Sequence, residues 1–91
     1  MEFRHQEHRI YAEDENGTLL AEVTFPASGN DAVCITHTFT APSLRGQGVA
    51  GRLMEAVAVY AKEHNKKITA QCSYAAGWFE RHSEYDDIML K

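Results

Sequence analysis

Three glycines, a cysteine and a histidine carry most of the chemistry this chain can offer. The stretch LRGQGVAGRL, Leu44 to Leu53, holds a G-x-G-x-x-G at Gly46, Gly48 and Gly51, with Arg45 in front of it. Such a turn at a helix start presents unpaired backbone N–H groups at the positive end of the helix dipole, where phosphate oxygens bind. Glycine has no Cβ to hold an anion off the backbone, and Arg45 adds a permanent cation. The competing reading is a tight turn in which Gly51 lets helix and sheet pack closely. Cys72 precedes a second predicted helix, whose N-terminus would favour its thiolate; otherwise it is a small buried hydrophobe. His37 sits in a β-branched run and reads first as a hydrogen-bonded core histidine.

The elements that must position these residues follow from periodicity. HRIYAED and TLLAEVTF are strand-like and joined at Asn16-Gly17, a hairpin signal. After the turn PASGND, AVCITHTFT predicts a third strand. Its alternation puts Val33, Ile35, His37 and Phe39 on one face and Cys34, Thr36, Thr38 and Thr40 on the other. Val49, Leu53, Val57 and Tyr60 then recur as the stripe of an amphipathic helix. It ends near His64-Asn65, where Asn suits a left-handed cap. KKITAQC predicts a strand, YAAGWFERH a short helix and EYDDIML a tail or last strand. The order β-β-β-α-β-α, with a right-handed helical crossover, makes the last strand pair parallel. The fold class is α/β, in one domain spanning residues 1–91.

These elements exclude several functions. A dinucleotide turn needs a strand running straight into its first glycine and an acidic residue about 20 positions on. Here Pro42 and Ser43 intervene, residues 66–68 are Lys66, Lys67 and Ile68, and 91 residues are too few for a doubly wound sheet. No G-K-[ST] follows, so there is no P-loop. A net charge of -4 without a dense basic face argues against nucleic acid. No apolar run approaches the roughly 20 residues that span a bilayer. The start MEFRHQEHRIY lacks a secretory pattern, so the expectation is a cytoplasmic protein without a membrane partner. Cys34 and Cys72 form no C-x-x-C, and no His or acid cluster has zinc spacing, so no metal is expected. His5 and His8 fall on opposite strand faces. His64 and His82 read as solvated. Glu84, Asp86 and Asp87 make either a solvated face or a contact for a cationic substrate. Nothing in the sequence reports oligomeric state.

APSLRGQGVAGRLMEAV resembles the acyl-CoA loop of the Gcn5-related N-acetyltransferase superfamily, whose pattern [QR]-x-x-G-x-[GA] falls here on Arg45, Gly48 and Ala50. About the last 55 residues resemble its very small single-domain branch, through His37-Thr38, C-S-Y-A at Cys72 to Ala75, and the closing E-Y-x-D from Glu84. The resemblance implies a mixed, mostly antiparallel sheet with a parallel pair splayed around acyl-CoA and two flanking helices. It also implies acetyl-CoA as cosubstrate, with its diphosphate on the backbone of Arg45, Gly46, Gln47, Gly48, Val49, Ala50 and Gly51. The pantetheine arm would pair with Thr38 and Phe39. The acceptor would be an amine of a peptide, protein or small molecule.

Acetyl transfer needs a neutral amine. An alkyl ammonium of pKa about 10.4 is neutral in roughly one molecule in 10³ at pH 7, a deficit of about 4–5 kcal/mol that a base or desolvation must cover. The leaving thiolate also gains from an acid. Larger superfamily members are implied to use a tyrosine in A-x-x-x-Y-E, and Phe79 stands at that position. Attention therefore moves to Cys72, as acetyl acceptor or acid, to His37 as base or orienting group, and to Tyr74 as a substitute acid. Cys72 and His37 could pair across adjacent strands. Two rival functions remain: an acyl-CoA-binding or sensing module without turnover, and an interaction domain exposing Trp78, Phe79 and Tyr85.

Overall fold

The Asn16-Gly17 turn closes a hairpin between β2 (Arg9–Glu13) and β3 (Leu19–Thr24). Asp14 organises it: its Oδ1 accepts the amides of Asn16 and Thr18, each at 2.9 Å, and Gly17 takes φ +81°. These details come from a computed structural model that describes residues 1–90. An edge strand, β1 (Arg4–Gln6), pairs antiparallel with β2. All three of its residues are exposed, and no hydrophobic alternation announces it in the sequence.

The run predicted as one strand over 32–40 is two. β4 (Ala32–Ile35) pairs parallel with β6 (Lys67–Ala70), from Ala32 opposite Lys67 to Ile35 opposite Ala70. β5 (His37–Thr40) pairs antiparallel with β3, from Ala21 opposite Thr40 to Thr24 opposite His37. The Thr36 N–H also donates to the Thr24 carbonyl at 3.1 Å. Two residues of the run thus face one of β3, which is the arrangement of a bulge. One extra residue reverses every later side chain. Val33 and Ile35 stay in the core, but Thr38 now takes the inner face opposite buried Val23. His37 and Phe39 turn outward, correcting the expectation that they share the face of Val33 and Ile35.

α1 (Val49–Glu63) covers the inner face of the four-stranded sheet β1-β2-β3-β5. It buries Val49, Leu53, Met54, Val57, Ala58 and Ala61 against Ile10, Val23, Phe25 and Ile35. Each large apolar side chain so buried contributes about 1.5–3 kcal/mol. Asn65 ends the helix at φ +54°, while the Lys66 amide reaches back to the Ala61 carbonyl at 2.8 Å. α2 (Ser73–Glu80) follows β6 and buries Ala75, Trp78 and Phe79. The segment expected as a tail or final strand is a 3-10 helix over Ser83–Ile88. A parallel bridge from Ile68 to Met89 follows it. The architecture is therefore mixed α/β: an antiparallel sheet, a parallel pair and two main helices, as expected.

Candidate active site

A 3-10 turn over Pro42–Leu44 carries the chain from β5 toward α1. Gly46 and Gly48 then adopt φ +83° and +77°, conformations that cost an L side chain about 1–2 kcal/mol. A Cβ at either would meet nothing within 4 Å, so the space above both is open. Gly48 is the N-cap of α1 and offers no side-chain cap; its carbonyl accepts from Arg52 N at 3.1 Å to begin the helix. Among the described residues, the amides of Gly46, Gly48, Val49, Ala50 and Gly51 donate to no protein group. Those of Arg45 and Gln47 are engaged, though loosely, at 3.4 Å to Pro42 O and 3.3 Å to Leu44 O. The Gln47 side chain folds back to Ser43 O, and Val49 is buried in the core. Gly51 has a separate constraint. Its Cβ would stand 3.1 Å from Trp78 Nε1, so its small size serves α1–α2 contact rather than the helix–sheet contact expected.

Of these residues Gly46, Gly48 and Ala50 line a cleft of about 540 Å³. Thr38, Phe39 and Thr40 line one wall; Arg45, Gly46, Gly48 and Ala50 line the other; Tyr74, from the first turn of α2, stands between them. The cleft exists because the parallel pair does not continue. Gln71 N and Cys72 N both donate to Ile35 O, at 2.9 and 3.1 Å. Beyond that point, among the described residues, β5 has β3 as its only strand partner, which leaves its other edge unpaired.

Cys72 stands where the two chains part, at the N-cap of α2. Its thiol donates to Thr38 Oγ1 at 3.7 Å. Burial pushes the thiol pKa up. Hydrogen bonding by the Ala75 amide, the Thr38 side chain, the Tyr74 amide and the Thr38 backbone favours the thiolate and outweighs it, so the net shift is downward. His37 lies on the other face. Its side chain is 55% exposed, and Nε2 is 3.6 Å from Glu22 Oε1. No contact joins His37 to Cys72: the thiol's partner is Thr38 and the imidazole's is Glu22. Glu22 escaped the sequence reading because only the register, which sets it opposite Phe39, brings it beside His37.

Phe79 is 2% exposed and Trp78 6%, inside the core. Trp78 stacks on His82 at 3.8 Å and on Tyr85 at 5.6 Å. The exposed aromatic patch required by an interaction domain is therefore absent, because α2 turns its aromatics toward α1 and the 3-10 helix. Among the described residues no three His, Cys, Asp or Glu are grouped to hold a metal ion, and no helix is long and apolar enough to cross a membrane.

Comparison with known proteins agrees with this geometry. The sequence model described as GCN5-related N-acetyl-transferase matches residues 9–88. No curated protein matches the chain. The solution structure of a GCN5-like protein from Staphylococcus aureus shares 39% identity over 98% of this chain and 87% of that one, with a TM-score of 0.81. A predicted acetyltransferase of Clostridium acetobutylicum, crystallised with acetyl-CoA, shares 22% identity over 81% of this chain and 55% of its own, with a TM-score of 0.62. A ribosomal-protein-alanine N-acetyltransferase of Brucella melitensis shares 22% over 91% of this chain and 62% of its own, with a TM-score of 0.58. At 22% identity these last two share the fold alone.

Proposed function

This chain belongs to the GCN5-related N-acetyltransferases, and from that premise we propose that it moves the acetyl group of acetyl-CoA onto an amine. The observation that carries the reading is the row of free amides at Gly46, Gly48, Val49, Ala50 and Gly51. They gather at the N-terminus of a 15-residue helix, where the dipole is positive, and Gly46 and Gly48 are exposed. A diphosphate would suit this positive helix end, and Arg45 supplies a further cation on the cleft wall. Gln47 shapes the same loop through its bond to Ser43 O. The cleft continues along the free edge of β5, where Thr38 and Phe39 offer backbone groups to the amides of a pantetheine arm. Acetyl-CoA would supply the thioester, and Thr38 and Cys72, which touch each other, would be the side chains nearest its reacting end.

Three side chains divide the proton work. His37, exposed at the bend between β4 and β5, takes the proton of the acceptor's ammonium. Cys72 acts at the leaving sulfur. As a thiol it protonates the departing thiolate. As a thiolate it attacks the acetyl carbon, forming its own thioester while the bond to the CoA sulfur breaks, and then passes the acetyl to the amine. Tyr74, 39% exposed on the cleft wall, is the alternative proton donor. The buried, hydroxyl-free Phe79 cannot serve there.

Calorimetry with acetyl-CoA tests the site, and heat is expected; none would remove the reading. Thiol release on adding lysine peptides or polyamines tests turnover. Mass spectrometry after acetyl-CoA alone tests the covalent route, through an acetyl group retained on Cys72. The second reading, an acyl-CoA-binding module, is favoured by Phe79 and predicts heat without thiol release.

A further inference from the structure

The outer face of the four-stranded sheet carries a row of side chains of which the cleft uses only Phe39. Arg9, Tyr11, Glu22, His37 and Phe39 come from three adjacent strands, and none is buried. The Arg9 guanidinium lies 3.9 Å over the Tyr11 ring and holds Glu22 Oε2 through Nε at 2.5 Å. The other carboxylate oxygen, Oε1, faces His37 Nε2 at 3.6 Å. The two contacts of Glu22 are diagonals of the strand register. Tyr11 is opposite Glu22, Glu22 opposite Phe39 and Thr24 opposite His37, so each long side chain reaches one step across. The result fixes Glu22 at one end and leaves its free oxygen for the imidazole. Its side chain is only 17% exposed, against 55% for His37. The carboxylate is thus the sheltered, anchored partner, and the histidine is the one able to meet a solute.

We propose that Glu22 is a positioning residue for His37 and that the amine acceptor arrives on this outer face. α1 covers the inner face, whereas the outer face beside the cleft is left uncovered at His37 and Phe39. His37 is next in sequence to Thr38, whose side chain touches Cys72, and it shares its face with Phe39 on the cleft wall. Glu22 accepts the Nε2 proton, which leaves Nδ1 with a free lone pair. Nδ1 takes one proton from the acceptor ammonium. The freed nitrogen lone pair bonds to the acetyl carbon as the carbon–sulfur bond breaks. The resulting amide nitrogen and the imidazolium each release a proton to water, while the Cys72 thiol protonates the departing CoA sulfur and is reprotonated from water. A 3.6 Å separation is longer than a hydrogen bond, and catalytic contacts commonly tighten when substrate binds.

This assignment rests on the proposed acetyl transfer, but part of its test does not. Ring-¹⁵N NMR of the intact protein with acetyl-CoA present is expected to show a His37 Nε2 proton slowed in exchange by its carboxylate partner. Glu22→Gln should weaken that signal and Glu22→Ala abolish it, while Glu22→Asp retains part of it. Amide spectra report whether each variant keeps its fold. No protected ring proton in the wild-type protein overturns the proposal, whatever calorimetry says of acetyl-CoA. With a lysine peptide as acceptor, Glu22→Gln should lower kcat by up to the ~10²-fold that a general base supplies, with KM for acetyl-CoA unchanged. Adding it to His37→Gln should cost nothing more. Independent, multiplicative losses would mean that Glu22 acts elsewhere.

Discussion

Residues 32–35 and 37–40 are neighbours in one β-branched run, yet they do different work. β4 is held on both sides, by β6 and by the segment around Pro26–Ser28, and Val33 and Ile35 are fully enclosed. β5 is held on one side only, and its residues are half-buried or exposed. A single extra residue, Thr36, separates a segment that stabilises the fold from one that offers an edge to a ligand. If that division is right, substitutions in the two halves should fail in different assays. Ile35→Ala should cost about 2–5 kcal/mol in denaturant unfolding, as a core truncation does. Phe39→Ala should cost much less in the same measurement and instead weaken acetyl-CoA binding. Equal losses of stability would merge the two halves.

A second contrast sharpens the first. Gly17 in the β2–β3 hairpin and Gly48 before α1 share nearly the same backbone, φ +81° and +77°, and an added Cβ has open space at both. Replacement by alanine should therefore lower stability similarly at each, by about 1–2 kcal/mol. Only Gly48→Ala should also weaken acetyl-CoA binding in calorimetry, because its methyl group would lie beside free amides. Were Gly17→Ala to weaken binding as much, the loss would be a general consequence of destabilisation.

Much of this arrangement is legible in the sequence because local rules govern it. The stripe from Val49 to Tyr60 marks α1, Asn65 its left-handed end, and Asn16-Gly17 the hairpin; each depends on residues within one or two turns. The glycines before α1 are legible for the same reason, and the motif resemblance gives them a ligand. What stayed hidden depends on register. Alternation alone placed His37 with Ile35, and nothing in ITHTFT marks Thr36 as the extra residue; the competing demands of β3 and β6 create the bulge. Glu22 was invisible because its neighbours lie across strands. Trp78 and Phe79 looked available on a helix of weak amphipathicity, and only the 3-10 helix packing over them shows that they are core.

The smallest expected effect probes the contact between Thr38 and Cys72. Thr38→Val keeps the shape of the side chain and its backbone, and removes the hydroxyl that can donate to the thiolate. Burial already raises the thiol pKa, and hydrogen bonds from Ala75, Thr38 and Tyr74 bring the net shift below the ordinary value. Loss of one of those donors must move it back up. Alkylation by iodoacetamide follows the thiolate fraction, so its rate rises as pH increases through the folded-state pKa. The wild-type profile for Cys72 should therefore lie at lower pH than that of the unfolded chain. Thr38→Val should displace it modestly toward higher pH, and Thr38→Ser should restore it. The sign for stability is the same: a depressed thiol stabilises the fold above its unfolded pKa and loses that contribution as pH falls through the folded one. The variant should thus differ from wild type in thermal unfolding mainly at alkaline pH. An unchanged alkylation profile would show that the Thr38 hydroxyl has no part in tuning Cys72, leaving the α2 amides and the Thr38 backbone to hold the thiolate.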